Sequence, residues 1–503
     1  MMPLIIHETH LTQLSEFITD RMGLYFPRER WDDLKRGLAA ASHEFGFKNP
    51  EACIQWLLSS APEKKHLQIL AGHLTIGETY FFRDKQLLEA LTEHILPALI
   101  SSQRSREQRL RFWCAGCCSG EEAYTLAILL HQLLPDLKDW QITITATDIN
   151  LRFLDKATKG IYSEWSFRNA PVWLKNRYFK PCADGDFAII PEIKKLVSFD
   201  HLNLVEDVYP SLGNNTNAMD LIFCRNVLMY FAQAQAKRVI SNLNKSLVDG
   251  GWLLVSPSEA SRALFPQFTN VNYPGAILFQ KGQTSVSNNS KSATTLQAAS
   301  FSRPVTTEYL PLRSFNPQVP DASTQIAVKA KNSSKLLTLA QSRYAQGSYT
   351  EVAGILTEMI KENAPTHYHH LEAFSLLARA LANLGRFKDA LICCDQWISA
   401  DKVDAVGYYI RALVLMESGD VKQAWTSLQQ AIFLRSDFVM AYFLLGNIAL
   451  NSGKMDEAHK YFLTVQRMLS TYRSDDILPE SDNLTVGKLT EIINGMPLMQ
   501  TVS

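Results

Sequence analysis

The chain has 503 residues, 46% hydrophobic and 20% charged, which are proportions of a folded protein rather than a disordered one. Lys plus Arg and Asp plus Glu number 50 each, so no global field selects nucleic acid or an anionic membrane. The length exceeds one ordinary core and predicts two or three domains, and eight cysteines in so long a chain suit a reducing compartment rather than a disulfide framework.

The opening MMPLIIHETH has a short apolar run but neither a basic n-region nor a small-residue cleavage site. No run reaches the roughly 18 apolar residues that a membrane span needs. A cytoplasmic location is therefore expected. Residues 1–72 read as helices throughout: LTQLSEFITDRMGLYF, RERWDDLKRGLAAASHEFG and NPEACIQWLLSS all space their apolar residues by three and four. From about Arg109 the texture changes. QRLRFWCAG, WQITITATD, KLVSFDHL, MDLIFCRN and GGWLLVSP are strand-like, with helical patterns between most of them. That alternation predicts an open α/β sheet of mainly parallel strands over 73–282.

Residues 283–335, including TSVSNNSKSATTLQAAS and SFNPQVPDAST, are rich in Ser, Thr, Asn, Gln and Pro, and read as a flexible linker. Over 336–472 the chain repeats itself. Gly385, Gly419 and Gly453 lie 34 residues apart, each followed five residues on by Ala390, Ala424 or Ala458. Each is preceded seven residues earlier by Ala378, Ala412 or Gly446, and Ala340 with Gly347 makes a looser first copy. A 34-residue period of this form resembles the tetratricopeptide repeat, two antiparallel helices per unit with the glycine ending the first. Such repeats imply a concave groove for an unknown protein or peptide. Residues 473–503 are left as a C-terminal tail.

Ligands of open α/β sheets sit at the carboxyl ends of the strands. In RFWCAGCCSGEEAY, 111–124, a strand runs to Trp113, a turn of small residues follows to Gly120, and a helix begins at Glu121. The cysteines there lack a second Cys-x-x-Cys or a suitably spaced His pair, so a metal site is not expected. The second strand ends in ITATDIN, placing Asp148 where a carboxylate can accept hydrogen bonds from ribose hydroxyls. The loop is not GxGxxG and has no Walker lysine. An adenosyl group without phosphates fits it better.

With these residues in view, 1 to about 280 resembles the chemotaxis-receptor glutamate O-methyltransferases of the CheR type. The ordered blocks are GETYFFRD (77–84), RFWCAGCCSGEEAY, TATDINLRFLDKATKGIY (145–162), VSFDHLNL (197–204), DLIFCRNVLMYF (220–231) and GGWLLVSPSE (250–259). The resemblance implies an S-adenosylmethionine-dependent methyltransferase domain of Rossmann-like fold behind a small all-α N-terminal domain. S-adenosylhomocysteine would be the product and a methyl-accepting chemoreceptor the protein substrate. It further implies that Asp148 holds the ribose, Glu122 meets the cofactor's amino group, and Asn203 and Leu204 border the adenosine. Arg225 and Asn226 would line the cofactor pocket, and Thr79 and Arg83, in a linker helix, would close over it. Arg83 and Tyr230 are the candidates for orienting the target carboxylate. Gly77 also falls among the cofactor positions, where the family commonly has Asn, and so removes a possible hydrogen bond. Cys118 and Ser119 replace the usual Ser and Thr at similar size. PCADGDFAIIPEIKKLVSF, 181–199, looks too short and poorly patterned for the small β-subdomain by which family members grip a receptor tail.

Two other readings are weaker. A nucleic-acid methyltransferase would carry Asn/Asp-Pro-Pro-aromatic or Pro-Cys where this chain has CRNVLMYF. An inactive scaffold working through its repeats has only Gly77 in its favour.

Overall fold

A computed structural model describes residues 6–282 and 322–500, apart from 61, 63, 183–184, 262, 274–275, 363–367 and 495. Most of the expected linker, 283–321, lies outside the described residues.

The N-terminal helices are α1 (Glu8–Met22), α2 (Trp31–Glu44), α3 (Pro50–Ser59) and α4 (Lys64–Leu74). Their apolar positions, among them Leu14, Ile18, Leu34, Leu38, Ile54 and Leu70, close one small core. Local chemistry sets the ends. Asn49 accepts from the Glu51 amide at 3.0 Å with Pro50 in the first turn of α3, and Gly23 ends α1 at φ 75°.

After α4 the expected linker helix does not form: residues 75–84 run as irregular backbone to α5 (Lys85–Ala90). Their sequence TIGETYFFRD, with a glycine and β-branched and aromatic residues, favours helix poorly, and tertiary packing fixes its course. Phe81 is fully buried among Tyr162, Phe167 and Phe179, and its amide donates to the Ser166 carbonyl at 2.9 Å. Thr79 and Arg83 are therefore held by a strap, not by a helix.

The α/β domain continues with α6 (Leu96–Arg104), β1 (Arg109–Ala115), α7 (Glu121–Leu133), β2 (Gln141–Asp148) and α8 (Leu151–Lys159). Next come β3 (Ile161–Tyr162), α9 (Val172–Tyr178), β4 (Phe179–Pro181), β5 (Phe187–Ile189), α10 (Pro191–Lys194) and β6 (Val197–His201). Last are β7 (Met219–Phe223), α11 (Gln233–Ser246), β8 (Leu247–Leu254), β9 (Phe268–Tyr273) and β10 (Ala276–Lys281). The main sheet has seven strands in the order β6-β2-β1-β7-β8-β10-β9. The first five are parallel and β10 is antiparallel to both its neighbours. Strand order reverses between β1 and β7, which opens a crevice at their carboxyl ends.

The second sheet corrects the reading of 181–199. β3, β5 and β4 pair antiparallel into a three-stranded sheet of two- and three-residue strands, so a small β-subdomain does form there. Alternation over so few residues is illegible. Aromatic packing by Phe167, Phe179 and Phe187 holds the sheet instead.

The repeat module is four helix pairs: α12 (Ala322–Ala345) with α13 (Tyr349–Glu362), α14 (Tyr368–Asn383) with α15 (Phe387–Ala400), α16 (Ala405–Glu417) with α17 (Val421–Leu434), and α18 (Val439–Asn451) with α19 (Met455–Leu469). Gly385, Gly419 and Gly453 sit between the helices of a pair, at φ 72°, 81° and 74°. Ala378, Ala412, Ala390, Ala424 and Ala458 are fully buried where paired helices meet. Two boundaries move. α12 starts at Ala322, inside the expected linker, and the expected tail carries α20 (Val486–Asn494) and α21 (Pro497–Gln500). Val486, Leu489 and Ile493 of α20 join the repeat core.

The repeats seat on the amino ends of the parallel strands, opposite the crevice. Arg111 in β1 forms a fully buried ion pair with Glu417, and Arg109 stacks on the Phe387 ring at 4.3 Å while donating to the Gly385 carbonyl at 3.2 Å. Gln141, the first residue of β2, donates to the Glu417 carbonyl at 3.0 Å. Leu212 and Ala218 belong to the repeat core itself. Burial pushes the Arg111 guanidinium down to about 9, so it stays charged at neutral pH and needs its carboxylate partner.

Candidate active site

The turn from β1 to α7 is the floor of the crevice. Gly116 and Gly120 take φ 80° and 91°, and Cys118 takes φ 50°, so the chain doubles back over the end of β1. A Cβ on Gly120 would lie 2.9 Å from the Ala157 methyl and 3.0 Å from the Phe199 ring, which fixes glycine there. The amides of Gly116 and Cys117 donate to the Thr147 carbonyl at 2.8 and 2.9 Å. Cys118 N–H donates to Asp148 Oδ2 at 2.8 Å, and Asn150 N–H to Asp148 Oδ1 at 2.8 Å. Asp148 thus joins the loop after β1 to the loop after β2, with lone pairs left over. Burial raises its pKa, and the two amides partly oppose that.

Glu122, in the first turn of α7, accepts from Arg225 Nη1 at 3.0 Å, and Arg225 Nη2 donates to Asp84 at 2.9 Å. Arg225 is buried and its Nε has no hydrogen-bond partner among the described residues. Burial raises the Glu122 pKa, and Arg225 counteracts it. Burial also pushes the thiols of Cys114 and Cys117 up, and that of Cys118 to about 12. They are thiols at neutral pH, packing groups rather than nucleophiles.

A cavity of about 1280 Å³, counting the open space at its mouth, lies between these loops and the helical domain. Thr79, Arg83, Glu122, Asp148, Asn203, Leu204, Arg225, Asn226 and Tyr230 all line it. Nine of the ten residues singled out from sequence therefore share one cleft. Gly77 is the exception. It lies against Phe153, whose ring Cζ would be 2.6 Å from an added Cβ, and it is Phe153 that faces the cleft. Arg83 makes no ion pair among the described residues; its Nη1 donates to the Glu78 carbonyl at 2.6 Å. Asn203 donates to the Arg21 carbonyl at 2.8 Å, and the Tyr230 carbonyl accepts from Tyr25 N–H at 2.7 Å, so both fasten the helical domain over the opening.

Sequence reasoning missed two residues. Arg30 lines the cleft from the helical domain and lies over the Tyr230 ring at 5.4 Å. Glu259 is buried and accepts from the amides of Asn226 at 2.8 Å, Val227 at 2.7 Å and Ser256 at 3.0 Å. It holds Asn226 at φ 57°, against the usual preference of a side-chain-bearing residue. Glu259 ends the block GGWLLVSPSE, but nothing in a lone Glu after a strand announces its four amide contacts, the fourth from Met229 N–H at 3.2 Å. Arg30 was legible only as part of a helical face.

Sheet order, glycine turn and acidic residue after β2 define a methyltransferase domain of Rossmann-like architecture. Residues 77–276 match the domain described as "CheR methyltransferase, SAM binding domain", and 337–405 and 409–471 match the tetratricopeptide repeat. The chemotaxis protein methyltransferase of Borreliella burgdorferi is 30% identical over 259 residues, covering 51% of this chain and 90% of that protein. Chemotaxis protein methyltransferase 2 of Vibrio cholerae is 30% identical over 261 residues, 52% of this chain and 88% of that one. Chemotaxis protein methyltransferase 1 of Pseudomonas aeruginosa is 33% identical over 218 residues, 42% and 77%. The chain belongs to the CheR family of chemotaxis methyltransferases, and it carries C-terminal tetratricopeptide repeats.

Proposed function

We propose that this chain is a protein-glutamate O-methyltransferase that uses S-adenosylmethionine to methylate glutamate side chains of methyl-accepting chemoreceptors in the cytoplasm. The observation that carries the proposal is the convergence of Asp148, Glu122, Asn203 and Leu204 with Arg83 and Tyr230 on one cleft at the switch in strand order.

The residues present fit the cofactor. Asp148 keeps acceptor capacity for ribose hydroxyls after taking two amides, and Glu122 offers a carboxylate to an ammonium group. Leu204 and Phe153 give apolar wall to an adenine, and Gly116, Cys117 and Cys118 bring the backbone of the turn to the cleft. When bound, the cofactor supplies an electrophilic methyl carbon on a sulfonium.

The target glutamate is ionised at neutral pH, so the chain needs no strong general base. Its task is positioning. Arg83 presents a guanidinium with only one N–H engaged, suited to a carboxylate, and Tyr230 presents a hydroxyl from the opposite loop. Arg225, tied to Glu122 and Asp84, keeps the inner carboxylates in place. Gly77, the one feature that favoured an inactive scaffold, is accounted for by the Phe153 ring packed against it.

The test combines the full chain and S-adenosylmethionine with the cytoplasmic fragment of a chemoreceptor from the same organism, followed by peptide mass spectrometry. A one-methylene mass gain on receptor glutamates, lost in Asp148→Ala, is the expected result. Methylation confined to nitrogen-bearing side chains, or none with cofactor bound, would overturn the proposal.

A further inference from the structure

The segment following the last repeat does not trail into solvent. Ile477 and Thr485 pair as an antiparallel bridge, Leu478 N–H donates to the Leu484 carbonyl at 2.9 Å, and Glu480, Asp482 and Asn483 all take positive φ. This hairpin turn is held by the first helices of successive repeats. Arg379 of α14 donates to both Glu480 and Asp482, the latter at 3.1 Å, and Tyr409 of α16 donates to the Glu480 carbonyl at 3.2 Å. Tyr344 of α12 lines the same hollow as Asp482. Tyr344 lies three residues before Gly347 and Arg379 six before Gly385, so the two stand about one turn apart on the first helices of adjacent repeats. Leu478 is buried in the repeat core beneath them.

We propose that the loop 477–485 is a built-in ligand of the repeat groove, and that the groove's external partner is a protein segment presenting two closely spaced carboxylates to Arg379. Charge selects the occupant. The Arg379 side chain is only 12% exposed, and the two carboxylates it meets belong to the loop. Such a buried guanidinium favours an acidic segment that makes the same pair of bonds over a neutral one. The loop also touches the methyltransferase domain. Ser211 donates to Asp482 at 2.7 Å, and nearby Lys488 pairs with Glu206, three residues after Asn203 of the cleft. An acidic partner that displaces the loop would therefore release its contact with Ser211 of the methyltransferase domain.

The inference stands apart from methyl transfer, and binding is read without it. The probe is a fluorescent synthetic peptide of residues 475–486 added in trans to the full chain. Glu480→Gln with Asp482→Asn weakens the loop in cis, and this double variant should bind the peptide at least tenfold more tightly than the unaltered chain. Adding Arg379→Gln should reverse that gain, and a peptide with both acids neutralised should bind at least tenfold more weakly. No gain in the double variant, or equal binding of the neutral peptide, would overturn the proposal. A second measurement does not depend on the variants folding. Excess acidic peptide added to the unaltered chain should raise amide hydrogen exchange at Leu478; unchanged exchange under saturating peptide would contradict displacement.

Discussion

Asp148 has a structural role in joining two loops, beside the cofactor-binding role proposed for it. It accepts one amide from each of two loops, and the same carboxylate faces the cleft. Asp148→Ala should weaken S-adenosylmethionine binding roughly 10- to 150-fold, the equivalent of about 1.5–3 kcal/mol for hydrogen bonds to a charged group. Titration calorimetry reads this directly. Tyr230→Phe removes only a hydroxyl and should behave differently, lowering kcat by about tenfold with cofactor affinity unchanged, since Tyr230 is assigned to the target carboxylate. A pH dependence follows from burial. The folded-state pKa values of both Asp148 and Glu122 are raised by burial, so the ionised forms proposed to hold the cofactor are lost as pH falls through those raised values. Affinity should decline on acidification before reaching the ordinary carboxylate range of about 4. A flat profile down to that range would contradict the assignment. The loop and the acid after β2 were legible because they sit at strand ends, and the Arg225-Asn226 pair through the family resemblance of its block. Glu259 and Arg30 were not, because their contacts are with backbone amides and a ring far away in sequence.

Among the elements, the strap 75–84 and the antiparallel hairpin β9–β10 mark where local pattern stops informing. The family resemblance implied a helix over the strap, but the segment follows Phe81 into its aromatic cluster. The hairpin was overlooked although Pro274-Gly275, a turn dipeptide, separates its two runs. β3, β4 and β5 are too short for any period to show. At Gly77 packing makes a sharp demand. Gly77→Ala would bring a methyl against the Phe153 ring, and should cost about 1–3 kcal/mol of stability or move Phe153 and weaken cofactor binding. Thermal melting and calorimetry on that variant separate the two. An unaltered melt with unaltered affinity would show that the strap yields freely.

On the scale of the whole molecule, the repeats and the methyltransferase domain share buried charge. The 34-residue period announced the repeats, but their seat against the amino ends of β1 and β2 depends on Arg109, Arg111 and Gln141, which alone read as ordinary strand residues. Glu417→Ala leaves Arg111 buried without its partner, and should destabilise the chain by about 3–5 kcal/mol. Arg111→Met combined with Glu417→Leu should recover most of that loss. Denaturant unfolding of the four proteins of this cycle measures the coupling. A loss below about 1 kcal/mol in Glu417→Ala would contradict the interface. Among the described residues no helix is long and apolar enough to cross a membrane.

The most direct test of the central claim is chemical. The full chain is incubated with methyl-labelled S-adenosylmethionine and chemoreceptor-bearing membranes of its own organism, and the products are treated with mild base. A glutamate methyl ester releases its label as volatile methanol, and the account predicts that label from receptor-sized bands. Label that survives base would place the methyl on nitrogen, and would contradict the account.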